Sequence, residues 1–306
     1  MKKIRWDYIL RNIITDCLAT KRYLQIAQYN KNLQKRLDIS IKDYKNFFNR
    51  IIIELTPKLV LTRNKNIFIN IKDKEKSFFH IFFDNSIFEE KRTYINPDDK
   101  IKKIKINIDN KIKSLKGLFY CCSCIKGINI IRCENGIQNL YGTFSNCSSL
   151  MYVDVSKMKT DNVKTMRDMF FGCKSLRKIN LNNFNTKNVT SMQGMFSGCS
   201  FLKDLIIDKF DTSKVKSMAD MFYKCSRLRK LNVSNFNTEN VNYMRYMFYH
   251  CNSLNNLDCK NFKLDNVTNM DYMFSGCKKE FQEKIKNQNN GFKEIAFDWN
   301  YHWLKI

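Results

Sequence analysis

An α/β solenoid is the fold this chain of 306 residues predicts: about seven units of 26 residues, each a short strand and a short helix, wound right-handed around a parallel sheet. Three observations lead there. Phe144, Phe170, Phe196, Phe222, Phe248 and Phe274 are each 26 residues apart, and Phe119 precedes the first of them by 25. A cysteine follows each phenylalanine by three positions: Cys122, Cys147, Cys173, Cys199, Cys225, Cys251 and Cys277. Inside each period the apolar spacing changes from that of a strand to that of a helix. Repetition at a fixed interval marks a stacked array, in which each unit covers the open apolar face of its neighbour.

The unit Met169–Gly194 shows the elements in order. From Leu176 to Leu181 the spacing contains the i, i+2 step of a strand with alternate side chains turned inward. Val189, Met192, Met195, Phe196 and Cys199 then fall at i, i+3, i+6, i+7 and i+10, the spacing of one helical face. Thr186 and Asn188 stand where that helix needs an N-cap, and Gly198, like Gly172 and Gly276, stands where it ends. The threonine ladder Thr160, Thr186, Thr212 and Thr238 reads as capping groups that also bond the neighbouring turn.

The recurring run M-F-x-x-C-x-x-L-x-x-L-x-L-x-x-F-x-T-x-x-V-x-x-M resembles the repeat of BspA-like leucine-rich-repeat proteins. MFSGCSFLKDLIIDKFDTSKVKSM at 195–218 and MFYKCSRLRKLNVSNFNTENVNYM at 221–244 follow it closely, and the likeness covers residues 118 to 277. The resemblance implies a right-handed solenoid that binds macromolecules, often from a cell surface, without catalysis.

Outside the repeats the character changes. Residues 1–48 read as a helical N-terminal region, with Trp6, Ile9, Leu10, Ile13, Ile14 and Leu18 at helical spacing and no Gly or Pro. KRYLQIAQYNKNLQKRL within it faintly resembles the leucine-alanine-basic helix of an F-box, which implies docking to a ubiquitin-ligase adaptor. The Leu-Pro start of that family is missing, since the only prolines are Pro57 and Pro97. Residues 49–100 read as a β-rich connecting or capping region, from runs such as RIIIELTPKLVLT, NIFINIK and FFHIFF. The solenoid is expected over 101–278, opening with a degenerate unit. A cap over 279–306 follows, made of a helix and the strand FKEIAFDW.

The net charge of +25 is spread over both halves of the chain. It leaves acidic or nucleic-acid partners open, although no nucleic-acid motif is present. No signal peptide or apolar stretch of membrane-spanning length appears, which points to a cytoplasmic protein with reduced thiols. Seven of the twelve cysteines form one inward column. Cys121 and Cys124 have the C-x2-C spacing of zinc ligands, yet Cys122 belongs to the column and Cys133 aligns with the core position of Phe184, so packing accounts for the group without metal.

His80, His250 and His302 are scattered, and no phosphate loop, nucleophile elbow or HExxH is present, so neither catalysis nor a cofactor is expected. A protein partner is, on one of two faces. The strand face offers Tyr152, Lys178, Asn180, Asp204, Ile206, Lys230 and Asn232. The helix face offers Tyr223, Tyr246, Tyr249 and Tyr272, with Arg245, Lys224 and His250 among them; exposed Tyr and Arg are typical interface anchors.

Overall fold

The fold is seen in a computed structural model that describes residues 50–58, 65–134 and 136–297. The helical reading of residues 1–48, with its F-box resemblance, lies outside the described residues. The regular structure among the described residues is mostly β, with few helices.

An antiparallel group comes first. Strands β1 (Ile51–Pro57), β3 (Phe79–Phe83) and β5 (Ile104–Ile108) bury their odd or even positions on one face. Ile53 of β1 faces Ile106 of β5, which also faces Ile81 of β3, so the three strands turn one apolar row inward. The short pair β2 (Asn66–Ile67) and β4 (Tyr94–Ile95) lies beside them. β1 also pairs antiparallel with β6 (Ile125–Arg132), and there the direction changes: β6, β7 (Tyr152–Asp154) and β8 (Lys178–Asn180) are parallel. One six-stranded sheet therefore runs in the order β3-β5-β1-β6-β7-β8. β9 (Asp204–Leu205) and β10 (Lys230–Leu231) continue the parallel arrangement as a separate pair. β5 falls at 104–108, inside the span expected to be solenoid, but its antiparallel partners tie it to the N-terminal strands.

The helix expected in each unit is not there. Between Gly117 and Cys277 no described residue is α-helical; tight turns occupy those positions. The hydrogen bonds give the reason. The N–H groups of Met169, Phe171 and Cys173 donate to carbonyls three residues back, those of Met166, Asp168 and Phe170. The alternate N–H groups, of Met166, Asp168, Phe170 and Gly172, leave the turn and donate to Ser191, Gln193, Met195 and Ser197 of the next period. An α-helix needs every one of these donors for its own i−4 carbonyls. Overlapping three-residue turns also gather residues spaced three and four apart on one side, so the apolar spacing imitates a helix. A second row of parallel bridges runs along this edge through Asn139, Thr165, Ser191, Ser217, Tyr243 and Asn269.

Stacking makes columns of the repeated residues. The rings from Phe119 to Phe274 lie parallel, with neighbouring centroids 5.2 to 5.8 Å apart. That spacing is close to the distance between hydrogen-bonded strands. Each column cysteine is buried, and from Cys147 onward its thiol donates to the carbonyl of a phenylalanine one period back: Cys199 Sγ to Phe170 O at 3.2 Å, Cys225 Sγ to Phe196 O at 3.1 Å. The threonine ladder is buried too, with Thr186 Oγ1 donating to Asp211 O and Thr212 Oγ1 to Asn237 O one period ahead. The threonines thus join adjacent turns, with no helix to cap.

At the C-terminal end, helix α1 (Lys279–Lys286) buries Phe281 and Ile285. The segment expected as a strand forms a 3-10 turn at Glu294–Ala296 instead. It still accepts the bonds a further repeat would take: Tyr272 N–H donates to Ile295 O and Phe274 N–H to Ala296 O. Phe297 stacks on Phe274 at 5.4 Å and extends the ring column by one.

Candidate partner-binding faces

The strand-side residues do not form one uniform surface. Tyr152 lies across Gly127 of the neighbouring strand, where a Cβ would fall within its ring, and its hydroxyl bonds Thr56 Oγ1 at 2.6 Å. Its position therefore serves packing, although the residue remains partly exposed. Asn180 and Asn232 turn their Oδ1 atoms back to accept the N–H groups of Asn182 and Ser234, as Asp154 and Asp258 do in equivalent turns. Both asparagines are turn formers. Ile206 holds the same place without such a bond and is 71% exposed. Lys178, Asp204 and Lys230 are exposed, and Asp204 is the register partner of Lys230.

On the other edge the structure brings the four tyrosines into one cluster, through stacked turns and not through a helix face. Tyr223 stacks on Tyr249 at 5.1 Å and Tyr246 on Tyr272 at 5.5 Å. The two stacks meet edge to face, with Tyr246 5.1 Å from Tyr249 and 6.0 Å from Tyr223. The Arg245 guanidinium lies 4.4 Å from the Tyr246 ring centroid and donates to its hydroxyl at 3.0 Å. That bond is the main reason the Arg245 pKa is raised. Lys224 caps Tyr223 at 5.0 Å. Tyr249, expected to be exposed, is only 6% so, because its neighbours and His250, at 4.4 Å, enclose it.

The residue type at one backbone position separates this cluster from the other repeats. Every turn places two residues, four apart, in the left-handed region. Gly117, Gly142 and Gly194 fill the first place in three turns, but Asp168, Asp220, Tyr246 and Tyr272 fill it in the others. A side chain with a Cβ costs on the order of 1 kcal/mol or more in that conformation. Aligning the sequence at its own period shows the column of Gly, Asp and Tyr, but not that its φ is positive. Burial raises the carboxyl pKa of Asp220, against the pull of Arg245.

Burial also raises the column thiols, Cys225 and Cys277 each to about 12. Such thiols are poor nucleophiles and poor metal ligands at neutral pH. Cys121 is exposed, whereas Cys124 is buried and donates to Ile67 O at 3.2 Å. Among the described residues no three His, Cys, Asp or Glu side chains are grouped to hold a metal ion. No helix among them is long and apolar enough to cross a membrane.

Comparison with known sequences places the repeats. Residues 113–206, 138–230 and 201–295 match the family described as "Mycoplasma protein of unknown function, DUF285". The chain belongs to that family. Among solved structures it is similar to a leucine-rich repeat protein from Eubacterium ventriosum, at 17% identity and a TM-score of 0.34, over 56% of this chain. The likeness spans 42% of that protein's length. No curated protein matches.

Proposed function

We propose that the stacked repeats form a right-handed leucine-rich-repeat-like solenoid that acts as a non-enzymatic module binding a protein partner. The observation that carries this reading is the tyrosine cluster. Tyr246 and Tyr272 have φ of 59° and 56°, in a column where three other turns use glycine and two use aspartate. Stability alone favours glycine there, so the strain points to a role for the side chains. Paired tyrosine stacks with Arg245 beside them offer rigid, amphipathic anchors of the kind that dominate protein interfaces, at low cost in side-chain entropy.

The test replaces Tyr246 and Tyr272 together with glycine in the full chain, which removes the rings and the backbone strain at once. Crosslinked pull-downs from the source cell are compared with wild type. The reading expects a folded variant that no longer retains a protein captured by wild type. Identical recovery of every partner by both forms refutes it.

A further inference from the structure

The strand-side edge carries a charge cluster that the tyrosine reading does not involve. Three successive turns hold Arg177 and Lys178, then Lys203, then Arg229 and Lys230, all exposed. Stacking sets them side by side: the Arg229 N–H donates to Lys203 O, and Lys230 is in register with Asp204. Phe201 draws in one more cation. Its ring centroid lies 4.0 Å from the Arg227 guanidinium carbon and 5.4 Å from that of Arg177, so one aromatic ring braces two guanidinium groups. None of these six cations forms an ion pair with a described residue.

The cluster has edges. The equivalents of Arg177 and Lys178 are Met151 and Tyr152 in the turn before, and Asn255 and Asn256 in the turn after the cluster. Three successive turns of this column are thus positive, roughly 10 Å across at the ordinary strand spacing, with Met151 between them and Lys126. From this arrangement we infer that the edge formed by Arg177, Lys203, Arg227 and Arg229 is a docking site for a short acidic segment of a partner polypeptide.

Two features select that partner over a nucleic acid. A phosphate backbone needs an unbroken basic track along its length, and here Met151 on one side and Asn255 on the other interrupt the row after about 10 Å. Asp204 sits among the cations, where it repels a phosphodiester chain, which offers only acceptors. A peptide brings backbone N–H donors for that carboxylate as well as acidic side chains for the arginines. Arginine forks match carboxylates two bonds at a time, and bracing by Phe201 lowers the entropy lost on binding.

The experiment uses the full chain and fluorescence anisotropy, with a labelled hexapeptide of alternating Asp and Glu. An Asn/Gln hexapeptide, a labelled oligothymidylate and phosphatidylserine vesicles serve as comparison ligands at the same ionic strength. The expected result is saturable binding of the acidic peptide, weakened about tenfold or more by R227E/R229E. Lys164→Glu with Lys216→Glu makes the same charge change on the other edge and is expected to leave affinity within about twofold. R227Q/R229Q and Phe201→Ala repeat the test with no new charge, and circular dichroism confirms that each variant is folded. Absence of acidic-peptide binding overturns the inference. So does an equal loss in the Lys164/Lys216 control, or tighter binding of oligothymidylate or vesicles than of the peptide. Since the tyrosines are untouched, either site can fail without the other.

Discussion

Replacing Phe196 with alanine removes one ring from the middle of the central column. That ring is 0% exposed and lies between Phe170 at 5.7 Å and Phe222 at 5.8 Å, within 6° of parallel to each. Truncating a fully buried phenylalanine costs about 3–5 kcal/mol through lost transfer energy and the cavity left behind. Two broken ring contacts, each worth ~0.5–1.5 kcal/mol, place this site toward the upper end. The neighbouring turns are poorly able to close the gap, because Phe196 N–H remains bonded to Met221 O and Phe196 O to the Cys225 thiol. At roughly 2–4 °C per kcal/mol, the melting midpoint should fall by about 6–20 °C. Far-UV circular dichroism reads the midpoint, with Phe88→Ala, at a 73% exposed site, as the control. Because each turn contacts only its neighbours, hydrogen exchange should speed up first around residues 166–173 and 218–225. A midpoint no lower than that of Phe88→Ala would refute the buried ring column. Uniform loss of protection along the whole chain would refute nearest-neighbour coupling.

Gly127→Ala should destabilise the protein by about 1–3 kcal/mol, as overpacking does, because the new methyl collides with the Tyr152 ring; Tyr152→Ala in the same chain should recover much of the loss in thermal melts. His80 stands between two carboxylates, with Nδ1 3.4 Å from Glu89 and Nε2 3.6 Å from Asp109, and the interaction with Asp109 is the main cause of its raised pKa. Its contribution to stability is therefore complete below the unfolded imidazole value near 6.5 and disappears as pH rises through the higher folded value. Urea titrations across that window should show the decline in wild type and a flatter profile in His80→Gln. In native protein a thiol reagent should label Cys121 rapidly, while Cys199, Cys225 and Cys251 react only on unfolding; peptide mapping after timed labelling distinguishes them.

The period of 26 was sufficient to identify the residues of the core. Phe170, Cys173, Leu176, Val189 and Met192 are buried as their spacing demands, since equivalent positions in a stack share one environment. The strand at Lys178–Asn180 was equally legible, because alternation survives even in a three-residue strand. The four tyrosines could be grouped from their spacing alone, though for a geometric reason that proved wrong. A periodic pattern specifies which side chains face inward but not where each backbone N–H points. Met166, Asp168, Phe170 and Gly172 send theirs to the next turn, and that choice, possible only once a neighbour is in place, replaces the expected helix with overlapping turns. The same tertiary decision encloses Tyr249, sets Tyr246 and Tyr272 at positive φ, and recruits Asn180 and Asn232 into turns. It also brings Arg177 and Arg227, fifty residues apart, to 5.4 and 4.0 Å from one phenylalanine ring centroid. Composition and spacing describe one turn at a time; contacts between turns depend on the 5 to 6 Å spacing of the stack, a distance set by backbone hydrogen bonds between chains of residues far apart in sequence.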